Sequence, residues 1–320
     1  MTDATSSARV PTPPHAPAQG GWGITVVLAL LTAAFSTVNP ALLIFVPLAF
    51  LLIAMPPRRS WLVVLGLVLL GVSFLGQGTG TVWWFGRGWA LMLSAWFVVA
   101  VALLPQLRLT ARLLTAVGGA AASAAMLFLV NRRSWRTVDF TISQELRNGA
   151  ADIRAFWARR MGDQPWLAEM SSALDRFADW QANAYPAMLA IASLTALTLA
   201  WWLWRRLASA DPRPLGRLRD FRFSDHLVWV AVAGIVLLVL PFGAALTRTG
   251  MNLVAFMAAL YAVRGFAVMV SLYGAPGLLG MVLAAIVFLL LYPIVMVTTL
   301  MVGLTDTWLD LRTRRKNEKS

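Results

Sequence analysis

Fourteen acids, two histidines and no cysteine are all this chain of 320 residues offers for carboxylate, imidazole and thiol chemistry, and their spacing leaves Ser and Thr nucleophiles without a base in reach. His15 lies in an N-terminal tail and His226 at the edge of an apolar run, so no histidine cluster with zinc-ligand spacing exists. The lack of cysteine removes thiolate metal sites, disulfides and cysteine nucleophiles. After Asp3 the next acid is Asp139, none lies between Asp179 and Asp211, and none between Asp225 and Asp306. Every carboxylate is therefore expected in a loop or tail, and the apolar segments lack the convergent titratable groups an active site needs. No catalytic residue, metal site or cofactor is assigned, and the chain is read as a non-enzyme. An interfacial lipid-processing enzyme would have only Asp225, Asp306 and Asp310 to work with.

Arg264 stands out against that background, because it lies in the apolar run from Met251 to Gly274 with no acid in its own segment. A cation in hydrocarbon costs several kcal/mol and usually faces a bundle interior, a cavity or a partner. Binding chemistry follows: Arg264 could draw an anionic headgroup or carboxylate into a cavity, with Asn252, about three turns earlier in the same span, and Tyr261 adding polar contacts. The plain alternatives are that Arg264 satisfies the carbonyls of a broken helix, reaches loop acids or snorkels to the interface. Arg87, in Val82-Trp83-Trp84-Phe85-Gly86-Arg87-Gly88-Trp89, is a second candidate, as part of an interfacial aromatic belt or of an aromatic ligand mouth.

The elements that must position these residues are helices in a membrane. Hydrophobic residues make up 59% of the chain and charged residues 13%, and the apolar residues come in long blocks separated by arginine-rich joints. The fold class is all-α: a polytopic transmembrane bundle with candidate spans at about 22–38, 41–55, 61–77, 83–104, 110–130, 185–204, 227–246, 251–274 and 278–303. That gives eight or nine spans, since Asn39-Pro40 makes the first two either a tight hairpin or one bent element. Residues 1–21 read as a disordered tail, 22–130 and 185–304 as two transmembrane bundles, and 305–320 as a basic tail. The net charge of +13 is nearly all arginine flanking apolar blocks, which implies contact with the lipid bilayer and no nucleic acid.

Between the bundles, 131–184 carries seven of the fourteen acids and has apolar residues at helical spacing, Val138, Ile142, Leu146, Ile153 and Trp157, then Leu167, Met170, Leu174, Phe177 and Trp180. Two amphipathic extramembrane helices are expected, the second starting near Pro165. The basic joints after the second, fourth and sixth spans belong in the cytoplasm, as does the C-terminal tail with Arg314 and Arg315. Three spans between the last joint and the tail break that parity. The error is sought at Pro293 in the last run or at Arg264-Gly265 in the one before it. Ala29 and Ala33 form a small-xxx-small pair that would let a partner helix approach closely. Asp306, Trp308, Asp310 and Arg312 read as a membrane-exit helix that sets topology.

Asn252-Leu253 opening a span, Leu260 to Val268 around Arg264-Gly265, and the closing Gly303 to Arg312 element together resemble the YybS-like family of bacterial multi-pass membrane proteins, which has no established activity. The resemblance is most specific over 185–312 and implies an uncharged polar residue, often Gln, where this chain has Arg264. It also implies a bacterial inner-membrane location and a distant kinship to the substrate-binding subunits of energy-coupling factor transporters and to the rod-shape protein MreD. On that footing the chain is expected to be a small-molecule-binding or transport-associated subunit without its own ATPase, taking an anionic small molecule and a membrane protein partner. The alternative is a scaffold for envelope or cell-shape assembly. Under the transporter kinship, Ala29 and Ala33 would contact the partner subunit.

Overall fold

The computed structural model describes residues 22–57, 59–75, 78, 80–162, 164–208, 215, 221–241, 243–273 and 291–309. Among the described residues every regular element is helical: α1 (Trp22–Phe35), α2 (Pro40–Ala54), α3 (Trp61–Phe74), α4 (Thr81–Leu103), α5 (Leu109–Val130), α6 (Arg132–Met161), α7 (Pro165–Ala208), α8 (Val228–Val239) preceded by a 3-10 turn at Asp225–Leu227, α9 (Ala244–Tyr273) and α10 (Tyr292–Leu309).

Local chemistry explains most boundaries. Asn39 caps α2, its Oδ1 accepting from the Ala41 N–H at 2.9 Å, and Pro40 supplies the preset φ of a first helical residue. The first two apolar runs are therefore separate helices. Pro165 opens α7, as its sequence position predicts. Pro241 stops α8 after Val239, and Gly243, at φ 97° in the left-handed region that favours glycine, turns the chain into α9. The run read as one span over 227–246 is thus a short helix, a tight reversal and the start of the next helix.

Among the described residues four helices, α4, α5, α7 and α9, are long and apolar enough to cross a bilayer. α1, α2, α3 and α8 have 14, 15, 14 and 12 residues, about 18–22 Å each, short of a hydrocarbon core of about 30 Å. The expectation of eight or nine spans is met only in part, because Pro and Gly cut the apolar blocks into pieces shorter than the blocks themselves. Of the two places where parity could fail, α9 runs unbroken through Arg264-Gly265, whereas α10 starts at Tyr292 with Pro293 in its first turn. Residues 278–290 of the last run lie outside the described residues.

A second departure concerns the extramembrane hairpin. α6 and α7 pair as expected, turned by Gly162 at φ 66° and linked by Arg147–Asp179 at 3.0 Å and Arg154–Asp175 at 2.8 Å. However, α7 has 44 residues and continues through Pro186 into the sixth span, so the second amphipathic helix and that span are one element.

Two cores follow. One joins α2, α4, α5 and α7 through Leu43, Leu93, Phe97, Ala120 and Leu197. The other centres on α9, where Met257, Leu260 and Tyr261 pack with Phe223, Leu194 of α7 and Leu300 and Leu304 of α10. Outward faces carry exposed Val64, Val68, Leu127, Trp229 and Ile235, the surface a bilayer would solvate.

Candidate functional site

Three arginines, Arg87, Arg248 and Arg264, are buried or half-buried among apolar helices, and the way each is neutralised separates structural from candidate binding roles. Arg264 is placed by a close crossing of α9 and α10. A Cβ built on Gly265 would lie 1.8 Å from the Thr299 carbonyl oxygen, and one on Gly303 would lie 2.0 Å from the Tyr261 carbonyl oxygen, so only glycine lets the backbones approach this closely. Asp306 follows Gly303 by three residues and is carried against Arg264. Arg264 Nε donates to Asp306 Oδ2 at 3.0 Å, Nη2 to the Asp306 carbonyl oxygen at 3.3 Å, and Nη1 to Asp225 Oδ1 at 2.7 Å. The side chains of Arg264 and Asp306 are 3% and 0% exposed and that of Asp225 is 63% exposed. Phe223 stands 5.3 Å from Arg264 Cζ and packs edge-on against Tyr261 at 5.2 Å.

The expectation that every carboxylate sits in a loop or tail fails at Asp306, which lies within α10 and is buried. Glycine at Gly265 and Gly303 lets the helices close around the pair, and the arginine compensates the charge. Of the alternatives weighed for Arg264, the loop-acid one comes closest: one partner is in the turn before α8, the other in a helix.

Asn252 is not part of this group. It is twelve residues before Arg264, about 18 Å along the helix axis, and it serves the distortion of α7 at Pro186. Proline has no N–H to give the Ala182 carbonyl, and Arg248 Nη2 donates there instead at 2.8 Å. The Ala187 N–H donates to Asn252 Oδ1 at 2.9 Å, while Asn252 Nδ2 donates to the Asn183 carbonyl at 2.8 Å, so one carboxamide bridges the distorted turn. Arg248 also donates twice to Asp139 of α6, at 2.7 and 2.9 Å, and lies over the ring of Tyr185. Sequence reasoning missed Arg248 and Asp139. The available signal was Pro186, which obliges some nearby donor to satisfy a freed carbonyl.

Arg87 differs. It is 9% exposed, on the inward face of α4. Its Cζ lies 3.5 Å from the ring centroid of Trp83, Nη1 reaches the Trp83 carbonyl oxygen at 3.4 Å, and buried Nε has no hydrogen-bond partner. Among the described residues no carboxylate pairs with it. Below it, Ala90 packs with Leu42 and Val46 of α2 and with Leu70 of α3. Arg87 therefore holds a desolvated positive charge with donor capacity left over, the arrangement that attracts an acceptor-rich anion.

The remaining residues are dispersed. Ala29 is half-buried and Ala33 exposed on α1, which packs on α7 where Thr32 and Thr195 share a 2.9 Å hydrogen bond. Trp308 is 70% exposed at the end of α10, and Asp310 and Arg312 lie outside the described residues. Among the described residues no group of acids or histidines could hold a metal ion.

No curated protein and no solved structure matches the chain. A family model described as a predicted membrane protein (DUF2232) matches residues 23–307, nearly all of the helical part. The chain with the Arg264–Asp306 helix crossing belongs to that family of predicted membrane proteins.

Proposed function

We propose that the protein is a membrane-embedded binding subunit for an anionic small molecule, with Arg87 as the cation that holds it. The reading is carried by one contrast: Arg248 and Arg264 each meet carboxylates, while Arg87, among the described residues, meets only a tryptophan ring and a carbonyl. A guanidinium with donor capacity left over is suited to a site that a ligand completes. In this reading Arg264 and Tyr261 stabilise the α9–α10 crossing, and Asn252 the kink of α7. No catalytic step is assigned, since Asp225 and Asp306 are engaged by Arg264. Any energy for transport would come from a partner, because the chain lacks a phosphate-binding G-x-x-x-x-G-K-[ST] loop.

The same reading puts the protein in the bacterial cytoplasmic membrane with the 205–222 joint and the C-terminal tail inside. Support comes from the arginines of both segments and from the sharing of Arg264 by Asp225, beside the joint, and Asp306, beside the tail. The scaffold reading is favoured by a different observation, the outward row Val26, Leu30 and Ala33 on α1, which a neighbouring helix could cover.

Affinity purification of the tagged protein in mild detergent, with mass spectrometry of co-purifying proteins and small molecules, separates the two. The binding reading expects an anionic molecule retained by the wild type and depleted from Arg87→Gln, with partner recovery unchanged. Recovery of envelope-assembly proteins that is lost in Ala33→Phe, with no small molecule above background, would overturn it in favour of the scaffold.

A further inference from the structure

Resting on the assignment of Arg87 as a binding residue, we infer that the ligand is an anionic amphiphile, whose phosphate or carboxylate head is held where the α1–α2 connection meets α4 and whose apolar part lies toward the bilayer. Two buried donors flank the contact between Val38 and Gly86 at that junction. Arg87 Nε lacks a partner on α4, and so does the hydroxyl of Thr37 in the α1–α2 connection. Val38, which follows Thr37, packs where a Cβ on Gly86, which precedes Arg87, would lie 3.3 Å from its own Cβ. The side chain of Ser36 is turned to the Val38 carbonyl oxygen, which leaves Thr37 as the free hydroxyl of the connection. A guanidinium and a hydroxyl without acceptors call for a group rich in acceptor oxygens and poor in donors, as phosphate and carboxylate are.

The surroundings specify the rest of the molecule. Ala90, about one turn after Arg87, packs with Leu42 and Leu70, and the Trp83 ring covers one face of the guanidinium. Beside it Trp84, whose ring meets Trp83 at 4.5 Å, is 62% exposed. A fully hydrated anion would give up its water against hydrocarbon on these sides, whereas an amphiphile brings its own apolar surface. The site is also at one end of the bundle. Val82 and Phe85, on the turn before Arg87, pack with Val138, Ile142 and Tyr185 at the base of the α6–α7 hairpin. That is headgroup depth, where an anionic head and an apolar tail can both be accommodated.

The test uses the purified full chain, stripped of lipid in detergent, with three probes titrated separately and followed by tryptophan fluorescence and thermal stability: dioleoylphosphatidylglycerol, oleate and inorganic phosphate. The wild type is expected to bind at least one of the two amphiphiles saturably and inorganic phosphate far more weakly. Arg87→Gln should weaken that binding by roughly tenfold or more, the loss of a charge-assisted contact, and Thr37→Val by several-fold. Thr37→Val keeps the shape of the side chain, so it remains informative where Arg87→Gln folds poorly. Comparison of the lipid with oleate tells a phosphate head from a carboxylate head. Inorganic phosphate binding as tightly as either amphiphile, and sensitive to both variants, would overturn the amphiphile inference and leave the anion-binding reading intact. Amphiphile binding unchanged in both variants would overturn this site. Binding of none of the three probes, together with an anion-free purified protein, would overturn the binding reading itself.

Discussion

A guanidinium keeps its charge when it leaves water, so a buried arginine transfers the problem to its partners, and at Arg264 the two partners are unequal. Asp306 is fully enclosed and Asp225 largely exposed. Removing the arginine would take the charged partner from the enclosed Asp306, at a cost of about 3–5 kcal/mol, whereas neutralising Asp225 removes a solvent-screened pair worth about 1 kcal/mol or less. Arg264→Met is therefore expected to lower the unfolding free energy in detergent far more than Asp225→Asn. Adding Asp306→Leu to Arg264→Met should recover most of the loss, because the enclosed charge is gone. Measured unfolding that ranks Asp225→Asn as the costlier single change would contradict this account. The same comparison explains why the sequence left Arg264 open. Its acids are 39 and 42 residues away, and only a glycine-to-glycine helix crossing brings the buried one within reach.

Among the helices, α7 shows what a proline costs and how the fold compensates. Its freed carbonyl at Ala182 and the neighbouring Asn183 and Ala187 groups are taken up by two side chains of α9, so kink and repair sit on different helices. Asn252→Ala should cost about 1–3 kcal/mol, the usual consequence of leaving the part-buried Ala187 N–H without its acceptor, while the Asn183 carbonyl keeps Arg248 Nε at 3.3 Å. Pro186→Ala restores the missing N–H and relieves the ring clash, so the helix can bond to itself. The double variant should then lose less than the sum of the singles, with a coupling above about 0.5 kcal/mol in a double-mutant cycle of detergent unfolding. Additive losses would mean that the carboxamide does not act through the kink. Much of this level was legible beforehand: the Asn39-Pro40 cap, the amphipathic hairpin and the Pro165 start all rest on chemistry within one turn. The continuity of α7 was not, because its repair comes from Asn252, 65 residues after Ala187. The shortness of α8 was missed for the opposite reason, since hydropathy over 227–246 outweighed a local breaker, Pro241, that the chain itself displays. At the candidate site, the cation Arg87 and its aromatic neighbour could be read from one heptad of sequence, whereas Thr37 could not, because only tertiary packing brings α1–α2 against α4.

On the scale of the molecule, the two neutralised arginines of α9 lie at opposite levels. Arg248 touches the base of the hairpin through Asp139, and Arg264 touches the segment after the arginine-rich joint through Asp225. Sixteen residues separate them, about 24 Å of helix, close to the hydrocarbon thickness of a bilayer. α7 covers the same distance beside α9, from the hairpin to the joint, and among the described residues between Gln164 and Ser224 it is the one helix that connects the two levels. These two residues are exposed, and the native chain has no cysteine, so Gln164→Cys and Ser224→Cys report topology with no background thiol to remove. With a membrane-impermeant maleimide, Gln164→Cys is expected to label on intact spheroplasts and Ser224→Cys only after permeabilisation. The positive-inside asymmetry sets that direction. Labelling of both from one side would mean that α7 does not cross the membrane and that the Arg248 and Arg264 levels face the same compartment. Labelling from opposite sides with the sense reversed would keep α7 as a crossing, and would put the Arg87 end of the bundle, together with the hairpin, in the cytoplasm.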